Sequence, residues 1–306
     1  MLTLLAMIAF ASNSLFCRAA LKQNDIDAAS FTFVRIFSGA VALWVLASVR
    51  RKESAVKAPG DSNGSVFAST PSSQRQLIRA GSWTSALALF VYAAAFSFAY
   101  LALSAGTGAL LLFGAVQATM VLWGMYKGER LNMIQIVGFI VAVTGLVVLV
   151  FPGLSAPPLV GSILMVAAGV AWGVYSLRGA RERNATTATT GNFVRAVPFA
   201  IVLLVGFAAW MRVDLAGFAY AVSSGAVTSG LAYIIWYKVL PALKAASAAT
   251  VQLSVPVLAA TGGILLLGEP ITPRYLLASV AVLGGIALVV AIPNSQPNSS
   301  SNEVTG

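Results

Sequence analysis

Apolar runs of about twenty residues alternate along the chain with short polar connections. A helix needs roughly 20 mostly apolar residues to cross the hydrocarbon core of a bilayer, so this pattern predicts spanning helices. Ten such runs fall near residues 1–20, 29–49, 82–103, 107–126, 132–151, 159–178, 191–210, 215–237, 245–267 and 273–292. The first has no basic segment ahead of it and has a counterpart in the second half, so it reads as a retained helix and not a signal peptide. Phe16 stands before Cys17, where lipid attachment would need a small residue. The stretch 50–81, RRKESAVKAPGDSNGSVFASTPSSQRQLIRAG, reads as a flexible loop, and residues 294–306 as a disordered tail.

Composition agrees with that pattern. The chain is 58% hydrophobic and 9% charged, against roughly 25% charged in soluble domains, and its mean hydropathy is +0.87. Histidine is absent and Cys17 is the single cysteine, which excludes an intrachain disulfide and a Cys/His metal site. No cofactor site is read. The net charge of +10 does not form a basic stripe with interleaved aromatics, so nucleic acid is not an expected partner. The basic residues instead sort between loops. Thirteen lie on one side (Arg50, Arg51, Lys52, Lys57, Arg75, Arg79, Lys127, Arg130, Arg178, Arg181, Arg183, Lys238 and Lys244) and four on the other (Arg18, Lys22, Arg212 and Arg274). That asymmetry places the first side, with both termini, in the cytoplasm. The expected location is the inner (cytoplasmic) membrane, multi-pass, with a monomer favoured.

An internal repeat divides the chain. Phe33-Val34-Arg35 recurs as Phe193-Val194-Arg195, and the same offset pairs Arg18 with Arg178 and Ala11 with Ala171. Further along, Gly128-Glu129 recurs as Gly268-Glu269, and Gly145 pairs with Gly285. Each half, 1–151 and 152–293, holds an odd number of spans, so the halves are expected to be inverted with respect to each other. Inverted repeats are a mark of secondary transporters, with the substrate near the midplane between them. The expected fold is therefore an all-α integral membrane protein, ten helices as two inverted five-helix repeats around a central cavity.

The segments GERLNMIQIVGFIVAVTGLVVLV and GEPITPRYLLASVAVLGGIALVV resemble the ends of the two EamA repeats of the drug/metabolite transporter superfamily. AWGVYSLRGAR and the two FVR segments extend that resemblance over nearly the whole chain, and the opening stretch is most similar to the YddG-type amino-acid exporters. The resemblance implies a ten-helix bundle that carries small metabolites outward. Two positions depart from the family pattern. Ser12-Asn13 stands where the family often shows Trp-Gly, kept here as Trp172-Gly173, and the fourth helix has Val116 where the ninth has Pro256.

Arg35 and Arg195 are the charges inside apolar spans. An arginine at helix centre costs roughly 2.5–3.5 kcal/mol on insertion scales. Both lie within about two turns of a helix end, where snorkelling lowers that cost, so the favoured reading is interfacial anchoring and helix packing, with an anionic-group or carbonyl contact in the pathway as the alternative. The two Gly-Glu pairs read as turn chemistry: glycine stops one helix and Glu precedes the next, with Asn132 as a cap and Pro273 at a first helical position. All other acids lie in loops or tails. Without carboxylate or imidazole inside a span, proton coupling of the usual kind and membrane hydrolysis both lack their groups, so no enzyme is expected.

Candidate substrate contacts follow from polarity and aromaticity within spans. Tyr92, Phe96 and Tyr100 form an i, i+4, i+8 stripe on the third helix, and Tyr233 and Trp236 cluster on the eighth. Asn13, between Ser12 and Ser14, is a polar patch that Trp172 would face from the other half. Rings with polar tips suit a cavity for amphipathic solutes. Pro256 offers no N–H to the carbonyl of Gln252, which makes Gln252 a pathway candidate beside Gln117 at mid-membrane. Pro256 with Gly262 and Gly263 marks the expected helix break for gating. Small-residue spacings at Gly124/Gly128, Gly138/Ala142 and Gly169/Gly173 permit close contacts within the bundle or between subunits.

The resemblance implies export of small amphipathic metabolites, chiefly neutral or aromatic amino acids and related compounds, and the expected mechanism is gradient-driven alternating access. The alternatives are a nucleotide-sugar or phosphate-ester carrier, in which Arg35 and Arg195 would bind phosphate, and a non-transporting receptor or assembly subunit.

Overall fold

The computed structural model describes residues 2–23, 26–56, 80–153, 156–180, 182, 184–239 and 251–291, and among these there is no strand. The helices are α1 (Leu2–Gln23), α2 (Ala28–Val56), α3 (Trp83–Tyr100), α4 (Ala105–Tyr126), α5 (Met133–Val150), α6 (Leu159–Gly179), α7 (Ala185–Gly206), α8, α9 (Ser254–Leu267) and α10 (Pro273–Ala291). Here α8 is a continuous rod of an α segment Leu215–Val222, a π-helical segment Ser223–Leu231 and an α segment Ala232–Val239. Among the described residues nine helices are long and apolar enough to cross a membrane, and α9 is a shorter apolar helix.

Local chemistry explains the ends. Ser82, Ser104, Asn132, Asn184 and Asp214 each accept a backbone N–H of the helix they precede, satisfying one of the donors a helix start leaves open. Asn132 and Gln135 form a reciprocal capping box. Gly128 and Gly268 hold positive φ at the ends of α4 and α9, the left-handed stop expected of them.

Three boundaries differ from expectation. Helix α2 runs to Val56, seven residues into the stretch assigned to a loop; Arg, Lys, Glu and Ala there are good helix formers, so the helix continues beyond the apolar run. The rest of that stretch, residues 57–79, and the tail after 293 lie outside the described residues. Helix α7 begins at Ala185, ahead of the apolar run, because Asn184 caps it. Helix α9 begins at Ser254 instead of 245; Val251 and Gln252 are helical, Leu253 is a turn, and 240–250 lie outside the described residues. Pro256 thus sits in the first turn of α9, where its missing N–H is tolerated.

Helices α5 and α10 form the most extensive pair. Helix α6 packs on α3 and α4, while α1 packs on α8 and α9; α2 packs on α7 and on the π segment of α8, and α3 packs on α7. Exchanging α1–α5 with α6–α10 maps this set of pairings onto itself. Small residues make the seams. Gly169 and Gly173 of α6 lie against Ala115 and Thr119 of α4, and Gly138 of α5 lies against Gly285 of α10. These small-residue spacings therefore serve contacts inside the chain. Between helices in lipid the gain is van der Waals contact, which close backbone approach maximises. Ile134, Ile140 and Val147 on α5 and Leu276, Leu277 and Val280 on α10 remain exposed, an outer apolar surface suited to hydrocarbon.

Candidate functional site

Six helices, drawn from both halves, converge on a buried polar and aromatic cluster. Asn13 of α1 donates from Nδ2 to Tyr92 Oη of α3 (3.2 Å) and accepts at Oδ1 from Ser224 Oγ of α8 (2.7 Å). The Thr228 hydroxyl lies within reach of both Asn13 Oδ1 (3.2 Å) and the Ser224 carbonyl (2.8 Å). Tyr92 Oη also accepts from Arg35 Nη2 of α2 at 2.8 Å. The Arg35 guanidinium carbon lies 5.0 Å from the Tyr92 ring centroid and 4.8 Å from that of Phe96, within cation–π range.

Rings close around this centre. Trp172 of α6 stands 4.8 Å from Tyr92 and 5.1 Å from Tyr233 of α8, and Tyr233 in turn meets Phe10 (6.1 Å) and Phe193 (6.2 Å). Trp236 touches Phe10 at 6.0 Å. Phe96 and Tyr100 meet edge-on at 4.7 Å. Asn13, Arg35, Tyr92, Phe96, Tyr233, Ser224 and Thr228 are all buried. The polar side of α8 is set by its π segment, in which Ala232 N–H reaches the Val227 carbonyl five residues back. Such wider turns shift side-chain phase and often occur at functional sites. Gly225 permits the approach: a Cβ there would lie 2.1 Å from both the Arg35 carbonyl and Ser38 Oγ.

The snorkelling expectation fails for Arg35. It is 2% exposed and points into the bundle, because the rings and the Tyr92 hydroxyl offer it inward partners. Arg195 is directed to backbone carbonyls instead. It donates to the Ala80 carbonyl ahead of α3 and to the Gly191 carbonyl four residues back in its own helix α7, and lies 5.9 Å from the Trp83 ring.

A second buried polar centre lies at one end of the bundle. Arg18 Nε pairs with Glu269 Oε1 at 3.0 Å, and Arg18 Nη1 donates to the carbonyls of Tyr100 (2.8 Å) and Leu101 (3.3 Å), the last turn of α3. Glu269 Oε2 accepts Ala105 N–H at 2.8 Å, the first residue of α4. Glu269 is therefore more than a turn residue: its charge satisfies the start of a helix in the other half, where anions are favoured. Beside it lies a cleft of about 200 Å³ lined by Leu103, Gly106, Ile264, Glu269 and Tyr275, away from the aromatic centre.

The remaining candidates fall elsewhere. Gln117 lines a narrow crevice with Gly114, Phe139, Ala142 and Ile286, between α4, α5 and α10. Gln252 is half-buried ahead of the Leu253 turn. Helix α9 runs unbroken through Gly262 and Gly263, so they are not a break. Their missing side chains let Leu15 and the Glu269 carboxylate come close. Sequence reasoning missed Ser224, Thr228, Phe10 and Phe193 as cluster members, and Arg18 and Glu269 as partners. The signal for the first two was the polar run SSGAVTSG inside an apolar span; no signal paired residues 251 positions apart.

The EamA-like transporter family model matches residues 159–291. Uncharacterized protein PA1977 of Pseudomonas aeruginosa is 53% identical over 291 residues, covering 95% of this chain and 94% of its own. The threonine/homoserine exporter RhtA of Escherichia coli K12 is 33% identical over 158 residues, 49% of this chain and 52% of its own. A solved crystal structure superposes with a TM-score of 0.59 at 17% identity, covering 95% of this chain and 98% of that one, which speaks to the fold alone. An apolar multi-helix bundle, a family match over its second half and a near full-length relative agree: this chain is a multi-pass membrane protein that belongs to the EamA-like transporter family.

Proposed function

We propose that this chain is a secondary transporter that exports small amphipathic metabolites, chiefly neutral or aromatic amino acids, by alternating access between two inverted five-helix repeats (1–151 and 152–293). The observation that carries this reading is the buried cluster of Asn13, Arg35, Tyr92, Trp172, Ser224 and Tyr233, built from helices of both halves. A polar core ringed by aromatic faces at a repeat interface suits solutes with one charged and one apolar part. The exporter function of RhtA adds amino acids as the first class to test. The pathway is the cluster itself, with Tyr100 and Phe96 extending it toward the Arg18–Glu269 end.

Movement is gradient-driven in this reading, without obligatory proton exchange. Among the described spans no carboxylate lies in the cluster, and Glu269 is engaged by Arg18 and Ala105. The basic loops and both termini face the cytoplasm in an inner membrane. The test is a substrate panel in proteoliposomes: labelled threonine, homoserine and phenylalanine in counterflow, with other amino acids and phosphate esters as competitors. Counterflow inhibited by amino acids and persisting with a protonophore supports the reading. Inhibition by phosphate esters alone would move the assignment to a phosphate-ester carrier, and no flux of any panel member would remove the carrier reading.

A further inference from the structure

Arg35 is buried at the centre of the bundle with half of its guanidinium fork unused. Nη2 is held by Tyr92 Oη at 2.8 Å, whereas Nη1 is buried and has no hydrogen-bond partner among the described residues. Two aromatic faces flank the cation, and the carboxylate of Glu269 is taken by Arg18. A cation in a low-dielectric interior persists where it meets an opposite charge or lines a wet pathway. A buried donor left open costs free energy that a native fold ordinarily recovers. Among the described residues Arg35 meets no opposite charge and its Nη1 stays open, and it lies at the cluster proposed as the pathway.

We propose that Arg35 is the subsite for the carboxylate group of the transported molecule, its open Nη1–H and its charge supplying what a carboxylate needs. The inference rests on the transport reading above. A guanidinium presents parallel N–H groups that match the two oxygens of a carboxylate. The apolar part of the solute then lies against the Trp172 and Tyr233 rings, and the Asn13 amide marks the polar edge. A single positive charge also discriminates. A carboxylate neutralises it, whereas a phosphate-ester dianion leaves a net negative charge among aromatic rings, which is costly to bury. Amines lacking an acid group bring a second cation to the site.

The experiment compares acid and amide pairs of threonine, phenylalanine and 3-phenylpropionate on the full chain. Counterflow of labelled threonine and phenylalanine in proteoliposomes reports transport, and thermal unfolding in mild detergent reports binding independently of flux. In the wild-type protein each effective acid is expected to compete at least tenfold better than its amide and to raise the unfolding temperature where the amide does not. Arg35→Gln should reduce that preference to below threefold, Arg35→Lys should keep part of it, and Arg195→Gln should keep it whole. Equal potency of acids and amides on wild type overturns the proposal without any variant, as does full preference in a folded Arg35→Gln. If wild type moves no amino acid, the transport reading fails for that class, and the acid-specific thermal shift still decides the subsite: its absence overturns it.

Discussion

Gly128-Glu129 and Gly268-Glu269 both end a helix on a left-handed glycine. Both glycines hold positive φ, at +95° and +62°, and both glutamate N–H groups fold back, to the Gly124 carbonyl at 3.0 Å and the Gly263 carbonyl at 3.1 Å. Their carboxylates then part. Glu269 is 6% exposed, paired with Arg18 and bonded to the start of α4, while Glu129 is exposed. The repeat-related arginines divide likewise. Arg18 is bound to Glu269 and the end of α3, but Arg178 donates to Ser85 Oγ (2.9 Å) and Ser82 Oγ (3.3 Å) at the start of α3. One end of the bundle is clasped by a buried ion pair, and the other is held by hydroxyls nearer the surface. A repeat in sequence transmits the backbone turn, which is local, but not the partner, which depends on how distant helices meet.

The largest expected effect tests that contrast. Removing one member of a buried ion pair leaves an uncompensated charge, a loss of about 3–5 kcal/mol. Glu269→Ala should fall in that range by denaturant unfolding in mild detergent, and Arg18→Met/Glu269→Leu should recover most of it. Glu129→Ala, at the exposed twin, should stay within about 0.5 kcal/mol. Equal losses at the two glutamates would erase the difference between the ends.

The spans, their order and the turn chemistry were legible in the sequence because they rest on local quantities: apolar run length, caps, and glycine at positive φ. The aromatic stripe Tyr92, Phe96 and Tyr100 was legible for the same reason, since helical spacing alone puts the three on one face. What sequence could not show was direction and partnership. Arg35 and Arg195 occupy matched positions, yet one turns inward to Tyr92 and Phe96 and the other outward to the Ala80 carbonyl. Gln117 looked central by depth, but its face of α4 turns toward α5 and α10. Depth along a helix is written in the run of residues; azimuth around the bundle is settled by packing.

The α5–α10 seam gives the next contrast, again between repeat-related positions. A Cβ on Gly285 would meet the Gly138 carbonyl at 2.4 Å and the Ala142 nitrogen at 2.6 Å, both backbone. A Cβ on Gly145 would meet the Ala281 Cβ at 2.8 Å and the Val282 Cγ2 at 3.0 Å, with backbone only at 3.1 Å. Overpacking a tight contact costs about 1–3 kcal/mol, and backbone yields least. Gly285→Ala should therefore destabilise clearly more than Gly145→Ala when both are unfolded side by side. The reverse order would mean that the two sides of the seam relax differently from their geometry.

For the arginine pair, flux and stability should separate. Arg35→Met replaces a buried cation by an apolar chain of similar reach, a change that is often neutral or stabilising. Its unfolding temperature should hold or rise while counterflow falls at least tenfold. Arg195→Met should lower stability slightly, through loss of its bonds to the Ala80 and Gly191 carbonyls, and leave counterflow within about twofold, the range expected where no solute is touched. Comparable flux losses in both would assign the arginines a common role.

The smallest contrast concerns the two helix starts that follow the Gly-Glu turns. Before α5, Asn132 Oδ1 accepts Gln135 N–H and Gln135 Oε1 accepts Asn132 N–H, both at 2.9 Å, while Gln135 Nε2 donates to the Val289 carbonyl of α10 at 3.1 Å. Before α10, the Thr272 hydroxyl accepts Tyr275 N–H at 3.1 Å, and Pro273 presets the backbone at the first helical position, where its missing donor costs nothing. The first start depends on side chains for its order; the second has part of that order in the proline ring. Asn132→Ala should cost about 1 kcal/mol, typical of a lost cap, and Thr272→Ala only a few tenths. Differential scanning of the two variants in the same detergent separates them. A Thr272→Ala loss as large as that of Asn132→Ala would show that proline does not substitute for a reciprocal cap at this turn.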